Sequence, residues 1–157
     1  MNAPVRLTVE PKSKHDFIVR TLAGIIRQNG FGFGRNACRY RTEEGKACAI
    51  GLWMPDSASP ELLNFQGGVY ALNIQANMCG LSKELGLARK VYDSWPVVAG
   101  ELQGIHDKAA WDYRDLPVVE ALRSAVSCVS ANRKDYPPIT NEHIDEAAKL
   151  AASEEVL

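Results

Sequence analysis

Apolar residues recur at every third or fourth position over several stretches of this chain, which is the spacing of one face of an α-helix. The clearest stripes cover residues 17–26, 98–109 and 119–129. Together with the polar residues between them, they predict five helices. These lie over residues 13–29, 82–92, 94–110, 116–131 and 140–153.

Capping residues sharpen the ends of these helices. Ser13 and Asp16 have the spacing of a capping box, which predicts that the first helix begins at Ser13. Gly30 follows the last apolar position and is predicted to end that helix in a left-handed conformation. Pro96 suits the first turn of the helix that follows Asp93 or Ser94, and Thr140 caps the last helix.

A different pattern covers residues 38–52, where apolar and semi-polar residues favour even positions. Such alternation is typical of a strand with one buried face. The sequence Glu43-Glu44-Gly45 suits a three-residue hairpin loop with Gly45 in the left-handed region. The resulting register pairs Thr42 with Lys46, Tyr40 with Cys48 and Cys38 with Ile50, so both cysteines are expected to face inward.

The remaining segments are less regular. Residues 1–12 are predicted to form a tail or an edge strand. The run GFGFGR, residues 30–35, follows a helix rather than a strand, which argues against a nucleotide-binding loop and favours a tight turn that directs Phe31 and Phe33 inward. Residues 53–81 contain a short helix at Ser59-Pro60 and an apolar segment that is either a strand or a helix.

These elements predict an α+β fold: a predominantly helical single domain with a small antiparallel β-hairpin or sheet. Residues 13–131 form the expected core, and residues 132–157 form a linker and a C-terminal helix appended to it. A chain of 157 residues with 46% hydrophobic and 24% charged residues is typical of one globular domain. No apolar run approaches the roughly 20 residues of a membrane helix, so no membrane partner is expected.

Charge is distributed unevenly although the net charge is only −1. Residues 1–46 carry nine Lys/Arg against four Asp/Glu, and the remainder carries nine against fifteen. The basic part could attract an acidic partner, but the favoured expectation is that the two parts neutralise each other on folding. The N-terminus has no apolar signal segment, which predicts a cytoplasmic protein with reduced cysteines.

Cysteine and histidine supply the candidate chemistry. Cys38, Cys48 and His106 form a candidate zinc ligand set, if the helix that carries His106 covers the inward face of the hairpin. The chain lacks the C-x-x-C knuckle of most structural zinc sites, and buried cysteines commonly pack as small apolar side chains. The favoured expectation is therefore that the cysteines pack in the core and that no cofactor is bound, with zinc as the alternative.

An enzyme is the second alternative, with Cys48, His106 and Asp107 as the catalytic residues. A nucleophilic cysteine needs a base and a group that orients the base. Neighbouring residues on a helix point about 100° apart, so Asp107 is not expected to orient His106. A disulfide between Cys38 and Cys48 is disfavoured, because diagonal positions in a hairpin are too far apart.

Basic residues on the outer face of the predicted hairpin are candidates for partner binding. These are Arg35, Arg39 and Arg41. Nucleic acid is the less favoured partner, because Tyr40 faces inward and no aromatic residue lies between the arginines for base stacking. Glu43 and Glu44 at the tip of the loop would also repel phosphate.

Several of these residues recur in a pattern of the form C-x-Y…G-x-x-C-A-[IV]-G, followed by L-Q-x-I-H-D on a later helix. Here the pattern is carried by Cys38, Tyr40, Gly45, the run 48–51 and the run 102–107. In these features the chain resembles an uncharacterised family of small phage and prophage proteins, over residues 14–130. The resemblance implies an origin in a mobile element and an accessory role, without implying an activity.

These observations lead to two expectations about function. The first is a phage or prophage accessory protein that binds and modulates a host macromolecule in the host cytoplasm. A host protein, such as a component of a defence system, is the favoured partner, and self-association through the last helix is an alternative. The second is a small metal-binding or hydrolytic enzyme built on the Cys/His/Asp cluster.

Overall fold

Seven α-helices dominate the described part of the chain. The computed structural model describes residues 4–34, 37–129 and 139–157. The helices are α1 Lys14–Arg27, α2 Pro60–Leu63, α3 Val69–Met78, α4 Leu87–Ser94, α5 Pro96–Asp112, α6 Val118–Val129 and α7 Asn141–Ala152. Two 3-10 helices cover Gly51–Trp53 and Ser82–Leu85. The prediction of a predominantly helical domain is therefore confirmed.

The first helix begins where its capping signal predicts. The Asp16 N–H donates to the Ser13 hydroxyl oxygen at 3.0 Å, which supplies a partner for one of the free amides of the first turn. At the other end the prediction for Gly30 is wrong, because Asn29 takes the left-handed conformation, with φ of 53°. Asparagine tolerates this region better than most residues.

The last helix packs along the first. Ile144 and Ala147 of α7 are fully buried, and α1 is the main neighbour of α7. Arg27 extends from the end of α1 and donates to four carbonyl oxygens at the end of α7 and just after it. These belong to Leu150, Ala151, Ser153 and Glu155. The segment predicted as an appendage thus shares a buried interface with the core.

Helix α5 lies at the centre of the fold and contacts α1, α3, α4 and α6. Its predicted apolar stripe is buried, since Val98, Leu102, Ile105 and Ala109 are at most 6% exposed. The helix predicted over residues 82–92 is instead interrupted. A 3-10 turn ends at Leu85, and Gly86, with φ of 57° and ψ of −129°, separates it from α4.

The hairpin predicted over residues 38–52 is not formed. Its turn is present, because the Thr42 N–H donates to the Lys46 carbonyl at 2.8 Å and Gly45 has φ of 83°. Beyond the turn the chain winds into a helical turn, in which the Leu52 N–H donates to the Cys48 carbonyl. Among the described residues, strand pairing is limited to Phe33–Gly34 with Ala37–Cys38, which is too short to form a sheet.

Burial explains why alternation was misleading here. Ala47, Cys48, Ala49 and Ile50 are all at most 1% exposed, so this segment has no solvent face. Small side chains let the backbone approach its neighbours very closely. A Cβ added at Gly51 would lie 2.0 Å from the Tyr40 carbonyl oxygen. The even-odd pattern therefore reflects packing of a buried loop rather than a pleated strand.

Candidate functional site

Several residues of the sequence pattern converge on one cluster. The segment between α1 and α2 contributes Cys38 and Cys48, and one face of α5 contributes Gln103, His106 and Asp107. One ligand-type atom from each of Cys38, His106 and Asp107 lies within 4.8 Å of the others. We call the cluster the motif network and define it as Gly32, Cys38, Cys48, Gln103, His106 and Asp107.

His106 is fully buried and uses both of its ring nitrogens. Nε2 lies 2.9 Å from the amide nitrogen of Gly32, and Nδ1 lies 2.9 Å from Oδ1 of Asp107. A backbone amide can only donate, so Nε2 must be the acceptor. In the neutral ring the proton is then on Nδ1 and is donated to Asp107. The expectation that Asp107 would not orient His106 is wrong, because the two side chains are in hydrogen-bond contact.

Asp107 accepts hydrogen bonds from its neighbours at the edge of the cluster. Gln103 Nε2 donates to Oδ1 at 2.8 Å, the same oxygen that His106 contacts. The Cys38 thiol lies beside this carboxylate, with ligand-type atoms of the two side chains within 4.8 Å of each other. Gln103 accepts in turn from the Ile50 N–H at 3.2 Å and so ties α5 to the loop. The Asp107 side chain remains 39% exposed and is where the network meets solvent.

Both cysteines of the network are held as neutral thiols. Burial, reinforced by the negative charge of Asp107, raises the pKa of Cys38 far above its ordinary value. Burial raises the pKa of Cys48 to about 12, although hydrogen bonds from Gly51, Gln103 and Ile50 oppose it. All four cysteines are free, so Cys38 and Cys48 form no disulfide. A neutral, buried thiol is a poor nucleophile.

The zinc hypothesis meets a difficulty at His106. Cys38, His106 and Asp107 are grouped closely enough to share an ion, whereas Cys48 is not one of the three. An ion bound at Nδ1 would displace the proton that this atom donates to Asp107. A neutral ring would then carry its proton on Nε2, facing the Gly32 N–H. Zinc binding stays a prediction that requires the Gly32 hydrogen bond to be lost.

The arginines proposed for partner binding have mostly internal contacts. Arg41 is only 10% exposed, donates to the carbonyls of Gly51 and Met54, and pairs with Asp56. It therefore holds the loop after Cys48 in place. Arg39 donates to the Gly34 carbonyl at 3.3 Å. Arg35 lies outside the described residues.

Helix α3 carries an apolar stripe that the sequence analysis did not identify. Tyr70, Ile74 and Met78 follow one another at four-residue spacing and are 69%, 41% and 78% exposed. Val69 and Leu72 on the other side of the helix are buried. Because α3 has apolar residues on both faces, it lacks the contrast that marks an amphipathic helix, and its exposed face could not be identified from the sequence.

A groove runs beside this stripe, with one lobe between α3 and α5 and a second between α3 and α4. It has a larger lobe of about 470 Å³ and a smaller lobe of about 240 Å³, and both are lined by Tyr70 and Tyr92. The larger lobe is also lined by Gly68, Val69, Pro96, Val97, Gly100, Gln103, Gly104 and Asp107. The smaller lobe adds Asn73, Ile74, Asn77 and Arg89. We call this feature the α3–α5 groove.

Comparisons with known proteins do not add a family or a fold relative. A scan against models of protein families and searches of curated proteins and solved structures found no match to this chain. The resemblance to small phage proteins therefore stands on the sequence pattern alone.

None of the helices in residues 4–34, 37–129 and 139–157 combines the length and apolar character needed to cross a membrane.

Proposed function

We propose that this chain is an accessory protein of phage or prophage type, which acts in the host cytoplasm by binding a host protein through the α3–α5 groove. The observation that carries the proposal is the exposed stripe of Tyr70, Ile74 and Met78 beside a groove. Contiguous exposed apolar surface next to polar residues is typical of protein interaction sites.

The position of the stripe supports a docking role. Tyr70 and Ile74 line the groove, and Val97 on the opposite wall is 53% exposed. A partner helix or loop placed here would cover apolar side chains from two helices at once. Tyrosine and methionine are enriched at protein interfaces, where they supply contact area and adapt to irregular surfaces.

The motif network supports this function indirectly. Both nitrogens of His106 are engaged, and the thiols of Cys38 and Cys48 are neutral, which is the opposite of an activated nucleophile. The network instead fixes α5 against the loop that precedes α2. We propose that its role is to position one wall of the groove.

A paired substitution tests this proposal. Changing Ile74 and Met78 to glutamate introduces charge into the stripe, whereas Val156→Glu introduces it at an equally exposed apolar residue elsewhere, 70% exposed. We expect the Ile74/Met78 variant to lose a host protein that the wild type and Val156→Glu both retain. The readout is quantitative mass spectrometry after affinity capture, with the molar mass of each variant measured in solution.

Two results would contradict the proposal. One is equal retention of every host protein by all three forms. The other is a dimer of the wild type that the Ile74/Met78 variant abolishes, because the groove would then be a self-association surface.

A metal-dependent enzyme is kept as the second candidate, because Cys38, His106 and Asp107 lie within 4.8 Å of one another. Zinc content in protein purified without chelators tests it. A stoichiometry near one, lost in Cys38→Ser, would favour this candidate. A stoichiometry near zero would remove it.

A further inference from the structure

We propose that the α3–α5 groove receives an arginine side chain of the partner protein, with the guanidinium group at Asp107 and its stem against Tyr70 and Tyr92. This inference rests on the proposed function and deepens it by stating the chemistry of the partner. Two features of the groove support it: the charge of the larger lobe and the shape of its walls.

Charge is the first feature. Asp107 is the one charged residue among the described residues that line the larger lobe, and its side chain is 39% exposed there. Its nitrogen donors, from Gln103 and His106, both reach Oδ1. These bonds fix the carboxylate in place before a ligand arrives. A fixed carboxylate at the end of an apolar lobe complements a cation.

Shape is the second feature. Gly100 and Gly104 of α5 leave that part of the groove without side chains, and a Cβ added at Gly100 would meet no atom within 4 Å. Tyr70 and Tyr92 both line this space and supply aromatic surface to it. A long, unbranched side chain fits such a slot, and a guanidinium stacks on aromatic rings better than an ammonium does.

Among the described residues that line the groove, the one cation has a carboxylate partner. Arg89 lines the smaller lobe, and its Nε lies 3.0 Å from a carboxylate oxygen of Asp93. Its charge is therefore offset locally and does not repel an incoming arginine from the larger lobe. The charge that remains to be matched in the larger lobe is that of Asp107. The larger lobe thus favours a cation.

The direct test uses N-acetyl-arginine methylamide as the probe and follows backbone amide signals by nuclear magnetic resonance. The lysine and norleucine analogues are the comparison probes, since norleucine retains the apolar stem without the charge. We expect saturable shifts at Gly100, Gly104 and Asp107, with the arginine probe binding about fivefold or more tightly than norleucine. Equal affinity for all three probes, or shifts elsewhere only, would overturn the inference.

Two variants separate binding from folding. Asp107→Asn removes the charge, and we expect it to remove the preference for arginine over norleucine. Because Asp107 also anchors the motif network, Gly100→Leu provides an independent test that fills the slot from a position with open space. We expect Gly100→Leu to abolish shifts by every probe with its unfolding transition retained. Unchanged probe binding in this variant would contradict the inference.

The outcomes distinguish this inference from the proposed function. If Gly100→Leu loses the host protein but the arginine probe never binds the wild type, the groove docks a partner and the arginine assignment fails. If the arginine probe binds in the groove but no host protein depends on Ile74 and Met78, the cation site stands and the host-binding function fails. Equal affinity of the arginine and lysine probes would overturn the choice of arginine alone.

Discussion

The motif network and the α3–α5 groove share helix α5 but differ in how their polar groups are satisfied. In the network, His106, Gln103 and Asp107 bond to one another and to the backbone at 2.8–3.2 Å. In the groove, the Oδ1 of Asn73 has no donor among the described residues, and large apolar side chains are exposed. Cysteine, histidine and aspartate side chains can thus stabilise the fold, while exposed apolar side chains form the proposed interaction surface.

Thiol reactivity gives the largest contrast between buried and exposed parts of the molecule. Cys48 is fully buried with its pKa raised to about 12, whereas Cys79 and Cys128 are exposed. At pH 8 we expect Cys48 in the folded protein to react with iodoacetamide about a thousandfold more slowly than Cys79. Mass spectrometry of timed samples measures the rates. Similar rates for the two residues would mean that the network is open to solvent.

A pair of glycine substitutions sharpens the comparison between the two regions. Gly51→Ala places a Cβ 2.0 Å from a backbone oxygen beside the network, so we expect a loss of about 3 kcal/mol or more in unfolding free energy. Gly100→Ala enters open space on the groove side of α5 and should stabilise the helix by up to about 1 kcal/mol. Denaturant unfolding measures both. A mild effect at Gly51 would contradict the close packing described for the loop.

The hydrogen bonds of His106 provide the next test. His106→Leu leaves the Gly32 N–H buried without its acceptor, and we expect it to cost about 3 kcal/mol of unfolding free energy. His15→Ala is the control, since it removes an exposed ion pair with Glu146 that should contribute at most about 1 kcal/mol. If the two substitutions cost the same, the network does not hold α5 in place.

The smallest expected change in unfolding free energy comes from a pH-dependent hydrogen bond at the start of helix α7. The Thr140 N–H bonds to Nδ1 of His143 at 3.0 Å, and burial, followed by the charge of His15, lowers the pKa of His143. The neutral ring is therefore favoured in the folded state. The stability it contributes is present above pH 6.5 and is lost as pH falls through the lowered folded-state value. We expect a loss of at most about 1 kcal/mol, the contribution of a helix cap.

His143→Gln is the matched control for this pH dependence. Glutamine is an ordinary partner in a capping box and does not titrate. We expect the variant to keep α7 folded and to show a weaker dependence of unfolding free energy on pH between 5 and about 7 than the wild type. An unchanged pH profile would show that another group is responsible.

The helices were predictable because their burial follows one-sided stripes. Val98, Leu102, Ile105 and Ala109 are buried as their spacing predicts, and Ser13 caps α1. The hairpin was not predictable, because residues 47–50 are buried on all sides and their alternation carries no information about faces. A loop packed between helices can imitate a strand in this way.

The candidate site was predictable only in part. The sequence analysis named Cys38, Cys48, His106 and Asp107 in its zinc and enzyme hypotheses, and the structure groups three of them, without Cys48, closely enough to share an ion. The sequence could not show that the Gly32 N–H donates to Nε2 of His106, because the two residues are 74 positions apart in the chain. The groove was missed because Tyr70, Ile74 and Met78 lie on a helix that is apolar on both faces, so their exposure depends on tertiary packing.

The claim that the groove rather than the network carries the function is tested most directly by the Gly100→Leu variant. Its retention of the host protein and its unfolding free energy are measured together. A Cβ at Gly100 meets no atom within 4 Å, so the substitution fills the groove without disturbing the hydrogen bonds of His106. The account predicts that retention of the host protein is lost while stability is kept. Full retention by a stable Gly100→Leu variant would contradict it.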